Sequence, residues 1–234
     1  MTKNTEKHKP STAESAYRTK KIAILGLITA ISFVTVILCR LPIIPSVSFL
    51  DLEFKSAIIL IGAFMFGPLA GFSMTVVVCV LELLTISTTG IIGCIMNILA
   101  TCCFVCPAAF IYKRKHTLSG AIIGIGVGAI LMTAAMVLWN YILTPIYMGI
   151  PREAIVELLI PAFIPFNLIK AALNGSVTLL LYKFVVTALR KANLIPQETS
   201  SNDKTKTTII GSVIIALLII ITCVLIILAF NGVF

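Results

Sequence analysis

Apolar residues run in long blocks along this chain, and polar residues gather in short breaks between them. A helix needs about 20 apolar residues to cross a bilayer, and a helix satisfies its own backbone hydrogen bonds there. The blocks predict spans over 22–39, 56–67, 69–84, 91–112, 118–143, 161–189 and 209–230. Pro42 and Pro45 end the first block. Gly67-Pro68 divides the next into two, because proline removes a helical hydrogen bond and glycine weakens the helix. The piece 56–67 is short for a full crossing. Polar breaks fall at 46–55, with Asp51, Glu53 and Lys55, at 85–90, at Lys113-Arg114-Lys115-His116 and at 145–157. Residues 1–21 predict a disordered tail and 191–208 a basic linker. The final run, Ile209 to Phe230, carries no charge. The expected fold is an all-α integral membrane protein, with six helices over 22–190 and one extra C-terminal transmembrane helix over 209–230.

Composition narrows this further. Hydrophobic residues make up 59% of the 234 positions and charged residues 12%, with a mean hydropathy of +1.10. A soluble domain is about 45–50% apolar and about 25% charged, so a soluble enzyme and a disordered protein are both excluded. The first apolar run is too long for the core of a secretory signal peptide. The seven cysteines lie in apolar stretches, where cysteine acts as a small hydrophobe. No metal-ligand spacing emerges from them.

The net charge of +9 would suggest nucleic acid in a soluble protein. Position gives it another meaning. With the N-terminus inside, 14 of the 18 basic residues fall in cytoplasmic segments, as the positive-inside bias requires. Arg40, Lys55 and Arg152 fall in outer loops and Lys170 in a span. The expected location is the cell membrane, with a cytoplasmic N-terminus and an external C-terminus. No nucleic-acid partner is needed.

Polar side chains inside spans are costly, and they mark candidate sites. They are Glu82, Asn97, Asn140, Asn167, Lys170 and Asn174. The last three repeat at helical spacing and share one face. Glu82, Asn140, Tyr141 and Lys170 fall at matching depth, as a shared cavity open to the outside would require. The competing account is hydrogen bonding between helices, worth about 0.6 kcal/mol for a typical pair. A buried ammonium such as Lys170 needs more than that. Gly120, Gly124 and Gly128 fit close helix packing, and Gly26 and Ala30 form a small-residue face on the first span. With histidine only at His8 and His116, no membrane Ser or Cys has a base, and an enzyme is not expected.

Five stretches then carry a family resemblance. They are Gly26-Leu-Ile-Thr-Ala-Ile-Ser-Phe33, Phe49-Leu-Asp-Leu-Glu-Phe-Lys55, Gly62-Ala-Phe-Met-Phe-Gly-Pro-Leu-Ala-Gly71, Trp139-Asn-Tyr-Ile-Leu-Thr-Pro145 and Pro165-Phe-Asn-Leu-Ile-Lys170. Over about residues 20–192 the chain resembles the substrate-binding S components of energy-coupling factor (ECF) vitamin importers, most of all the riboflavin-specific ones. The resemblance implies a six-helix bundle that holds one vitamin near the outer surface and topples to release it. It implies a transmembrane coupling subunit and two ATPase subunits as partners, with Gly26 and Ala30 docking the coupling subunit. Riboflavin would be cargo, with no cofactor. Asn140, Asn167 and Lys170 would donate to it, with Asn97 nearby. Glu53 would accept from its hydroxyls, and Phe49, Trp139, Tyr141 and Phe166 would face its rings. The chain departs from the riboflavin type in having Glu53 for the usual Asp, Val78-Cys79 near a usual Lys-Asn pair, Ala171 for Gly, and the seventh span. An S component for another vitamin and a non-transporting membrane adaptor are the alternatives.

Overall fold

The long apolar blocks become long helices. The computed structural model describes residues 12–43, 50–149, 151–191 and 204–230. Phe49 and most of the two polar segments, 1–11 and 192–203, lie outside the described residues. Helix α1 (Thr12–Leu38) starts well before Ile22. Glu14 and Arg18 pair one turn apart there, a spacing that supports an exposed helix. Two short strands follow, β1 (Leu41–Pro42) and β2 (Asp51–Leu52), paired antiparallel with Leu41 opposite Leu52.

Helices α2 (Lys55–Phe66) and α3 (Pro68–Thr85) form a hairpin about Gly67. Gly67 sits at φ 93°, where a side chain would be strained. Pro68 opens α3, where the missing N–H leaves no helical bond unmade. Helices α4 (Gly90–Lys115) and α5 (Leu118–Met148) share the most extensive contact in the bundle. Gly124 and Gly128 let it close, because a Cβ at either would collide with the backbone of Ala108 or Phe104. Helix α5 runs past the expected end at Leu143, through Pro145, and stops at Gly149 with φ 65°.

The expected loop 145–157 is partly helical. Helix α6 (Arg152–Leu158) passes through a π-helical turn, Leu159–Phe163, into α7 (Ile164–Lys191). Pro161 and Pro165 supply no N–H within this stretch, and a widened turn absorbs the missing bonds. Helix α8 (Lys204–Phe230) packs along α7 and buries Ala216 and Cys223.

Among the described residues, Glu14–Leu38, Pro68–Thr85, Gly90–Lys115, Leu118–Ile146 and Arg152–Val185 are long and apolar enough to cross a membrane. Helix α2 is not, since its 12 residues rise about 18 Å against a hydrocarbon core of about 30 Å. Its N-terminus therefore begins at depth. The backbone leading into it, Leu50 to Glu53, follows it down. Irregular backbone survives at that depth only when the protein itself covers it. Leu50, Leu52 and Glu53 are accordingly buried. Two apolar clusters flank this descent. One centres on Ile59, Phe64, Val78, Phe104 and Met132. The other joins Ile43, Leu50, Leu52, Phe163, Phe166 and Ile169 to Cys223 of α8.

Candidate functional site

The site begins with an incomplete helix end. The first N–H groups of a helix lack internal partners, and Phe54, the residue before α2, offers no capping side chain. Asn174 of α7 supplies what is missing. Its Oδ1 accepts from the Ala57 N–H at 2.8 Å, and its Nδ2 donates to the Glu53 carbonyl at 2.9 Å. Thr178 donates to the Ala57 carbonyl at 3.2 Å. One face of α7 thus fixes the start of α2 and the backbone of Glu53.

A chain of buried charges crosses this junction. Lys170 Nζ lies 2.9 Å from Glu53 Oε1, and Lys55 Nζ lies 2.9 Å from the same oxygen. Lys55 Nζ also reaches both oxygens of Glu82, at 2.8 and 2.7 Å. The order is Lys170, Glu53, Lys55, Glu82, alternating in sign and contributed by α7, the β2–α2 junction, α2 and α3. The ammonium groups of Lys170 and Lys55 thus share one oxygen of a buried carboxylate. Lys170 also extends towards the Asp51 carbonyl at 3.5 Å and lies 5.7 Å from the Phe166 ring centroid.

Amides face the charges. Asn140 is fully buried on α5, donating to the Met136 carbonyl and accepting from the Thr144 hydroxyl. Asn167 donates to the Phe163 carbonyl. At the rim, Arg40 pairs with Asp51 and donates to the Ile86 carbonyl, so it links the end of α1 to β2 and to the α3–α4 turn.

These groups line one cavity. Its polar wall holds Glu53, Glu82, Asn97, Asn140, Asn167 and Lys170, and its apolar wall holds Leu50, Met96, Ala100, Met136 and Phe166. The free space within it is about 100 Å³. A partly apolar cavity with a few convergent polar groups is the usual form of a small-molecule site.

The structure brings together the candidates Glu53, Asn97, Asn140, Asn167 and Lys170, with Phe166 beside them. Trp139 and Tyr141 are not in the cavity wall. Trp139 is half-buried elsewhere on α5, and Tyr141 is 39% exposed with the Arg152 guanidinium 5.7 Å from its ring. Neighbours on a helix point about 100° apart, so a buried Asn140 turns both aside. Phe49 is outside the described residues. Asn174 belongs to the polar stripe but serves the helix end. Lys55 is the largest departure. The sequence placed it in a solvated loop, whereas it opens α2 with no exposed surface. Arg40 was also missed. The one signal for both was the density of charge between residues 40 and 55, beside a short apolar run.

Fold and cavity together define a helical membrane protein built around a small-molecule pocket. Residues 20–182 match the ECF transporter, substrate-specific component family, and the chain belongs to that family. It is 31% identical over 179 residues to the riboflavin transporter RibU of Staphylococcus aureus, covering 74% of this chain and 93% of that protein. It is 26% identical over 162 residues to the riboflavin transporter FmnP of Bacillus subtilis, covering 65% of this chain and 85% of that protein. A solved S component of a bacterial ECF transporter superposes with a TM-score of 0.64 at 30% identity, covering 74% of this chain and 99% of that one. The family match ends before α8 begins.

Proposed function

We propose that this protein binds riboflavin in the cavity between α3, α4, α5 and α7 and presents it for ATP-driven uptake. The observation that carries this is the convergence of Asn140, Asn167, Lys170 and Glu53 on one half-apolar cavity, in a chain similar to proteins named riboflavin transporters. Riboflavin offers a flat ring system, an edge of carbonyls and nitrogens, and a hydroxylated chain. Phe166 and the two methionines give the rings apolar contact. Asn167 and Lys170 donate to ring carbonyls, and Asn140 lies within the same polar wall. Glu53, an acceptor when ionised, takes hydroxyl or N–H donors.

The partners follow from the family: a transmembrane coupling subunit and two ATPases supply the energy. Gly26 and Ala30 are the docking positions. Both lie on the exposed face of α1, and a Cβ added at Gly26 would meet nothing. In the membrane, α1 to α5 and the continuous α6–α7 form the six-helix unit, and α8 is an additional transmembrane helix. The cavity end faces outward. Lys20, Lys21, Lys113, Arg114, Lys115 and Lys191 lie at the opposite end of the bundle, which supports a cytoplasmic N-terminus and an external C-terminus.

Flavin fluorescence tests this directly. The purified chain quenches riboflavin on titration, and Lys170→Met weakens binding about tenfold or more, the scale of one charge-assisted hydrogen bond. If riboflavin goes unquenched while a different small molecule co-purifies, the cargo assignment falls.

A further inference from the structure

Lys55 occupies a place that stability alone does not explain. It has no exposed surface, and it opens α2 with no acidic residue in that helix's first turn. Desolvation opposes a buried ammonium. The positive end of the helix dipole opposes it too. A buried ion pair can often be exchanged for apolar residues at no loss of stability. Lys55 is also absent from the cavity wall, yet the two carboxylates it touches, Glu53 and Glu82, both line that wall. Its ammonium therefore sits behind them.

That arrangement has a chemical result. Lys55 contacts both oxygens of Glu82, at 2.8 and 2.7 Å, which fixes the plane of the carboxylate. A carboxylate that faces an ammonium on one side offers its remaining lone pairs to donors in the cavity. Glu82 comes from α3, whereas Asn167 and Lys170 come from α7. The donors of α7 and the acceptor of α3 thus belong to different walls and address different parts of a ligand. Riboflavin carries one ring N–H, but a run of hydroxyls on its side chain. The chain is where several donors can meet acceptors.

We propose that Glu82 is a specificity residue that accepts from the hydroxylated chain of the ligand, and that Lys55 is the positioning residue that aims it. This rests on the flavin reading above and assigns the two ends of the ligand to two walls.

The test compares riboflavin with lumiflavin, which has the same rings and a methyl group in place of the hydroxylated chain. Both are titrated by fluorescence quenching against the purified full chain. Glu82→Gln, similar in shape, weakens riboflavin about tenfold or more, as loss of one charge-assisted hydrogen bond predicts, and leaves lumiflavin nearly unchanged. Lys55→Met gives the same selective loss. The double variant is no worse than the poorer single one, because the pair acts as a unit. Should Lys55→Met not fold, Glu82→Gln with Lys55→Arg carries the comparison. Equal losses for the two flavins, or none for riboflavin, overturn the proposal. If the unmodified chain binds neither flavin, the flavin reading itself has failed.

Discussion

Glu53 holds two ammonium groups on a single oxygen, at 2.9 Å each. Removing the shared carboxylate leaves Lys55 with Glu82 and strips Lys170 of its only side-chain anion among the described residues. Breaking a buried pair from one side costs about 3–5 kcal/mol. Glu53→Gln is therefore expected to lower the thermal midpoint of the purified protein well beyond what a surface substitution does.

At the scale of elements, α7 carries two functions on one face. Asn167 and Lys170 point to the cavity, and Asn174, one turn beyond Lys170, closes the N-terminus of α2. Losing a helix cap costs about 0.5–2 kcal/mol, and here the Glu53 carbonyl loses a donor as well. Asn174→Leu is thus expected to destabilise by about 2 kcal/mol and to weaken flavin binding although Asn174 never lines the cavity. Thermal shift and quenching on one preparation measure both. The stripe itself was readable, because spacing of three and four residues on a helix is unambiguous. Its division of labour was not, because that depends on α2 beginning exactly opposite Asn174. The same holds for Lys55. The polar residues of 46–55 marked that stretch as a loop, but only the short α2 draws its end inward. Trp139 and Tyr141 show the opposite error, since adjacency to Asn140 in sequence turns them away from it in space. Gly67-Pro68 was legible because each residue constrains the backbone by itself.

For the whole molecule, exposure divides into two kinds. Large exposed apolar residues lie on every long helix of the bundle, as lipid contact requires. On α1 the exposed small residues Gly26 and Ala30 interrupt that cover, and a Cβ at Gly26 would meet nothing. Small residues let helices approach closely. Gly26→Trp with Ala30→Trp is expected to abolish co-purification with the coupling subunit while flavin quenching stays intact. Loss of quenching in step with loss of co-purification would instead mean a collapsed bundle.

The alternating chain of Lys170, Glu53, Lys55 and Glu82 has a consequence for membrane voltage. Its charges sum to zero, and so do those of the Arg40–Asp51 pair at the rim. Moving one unbalanced charge through 100 mV takes about 2.3 kcal/mol. A neutral wall around a neutral vitamin avoids that work, however the cavity passes from one face to the other. Uptake by the chain reconstituted with its coupling subunit and ATPases should therefore not respond to an imposed potassium diffusion potential. Glu82→Gln, at saturating flavin, leaves the wall with one extra positive charge, and its uptake should become sensitive to the sign of the membrane potential.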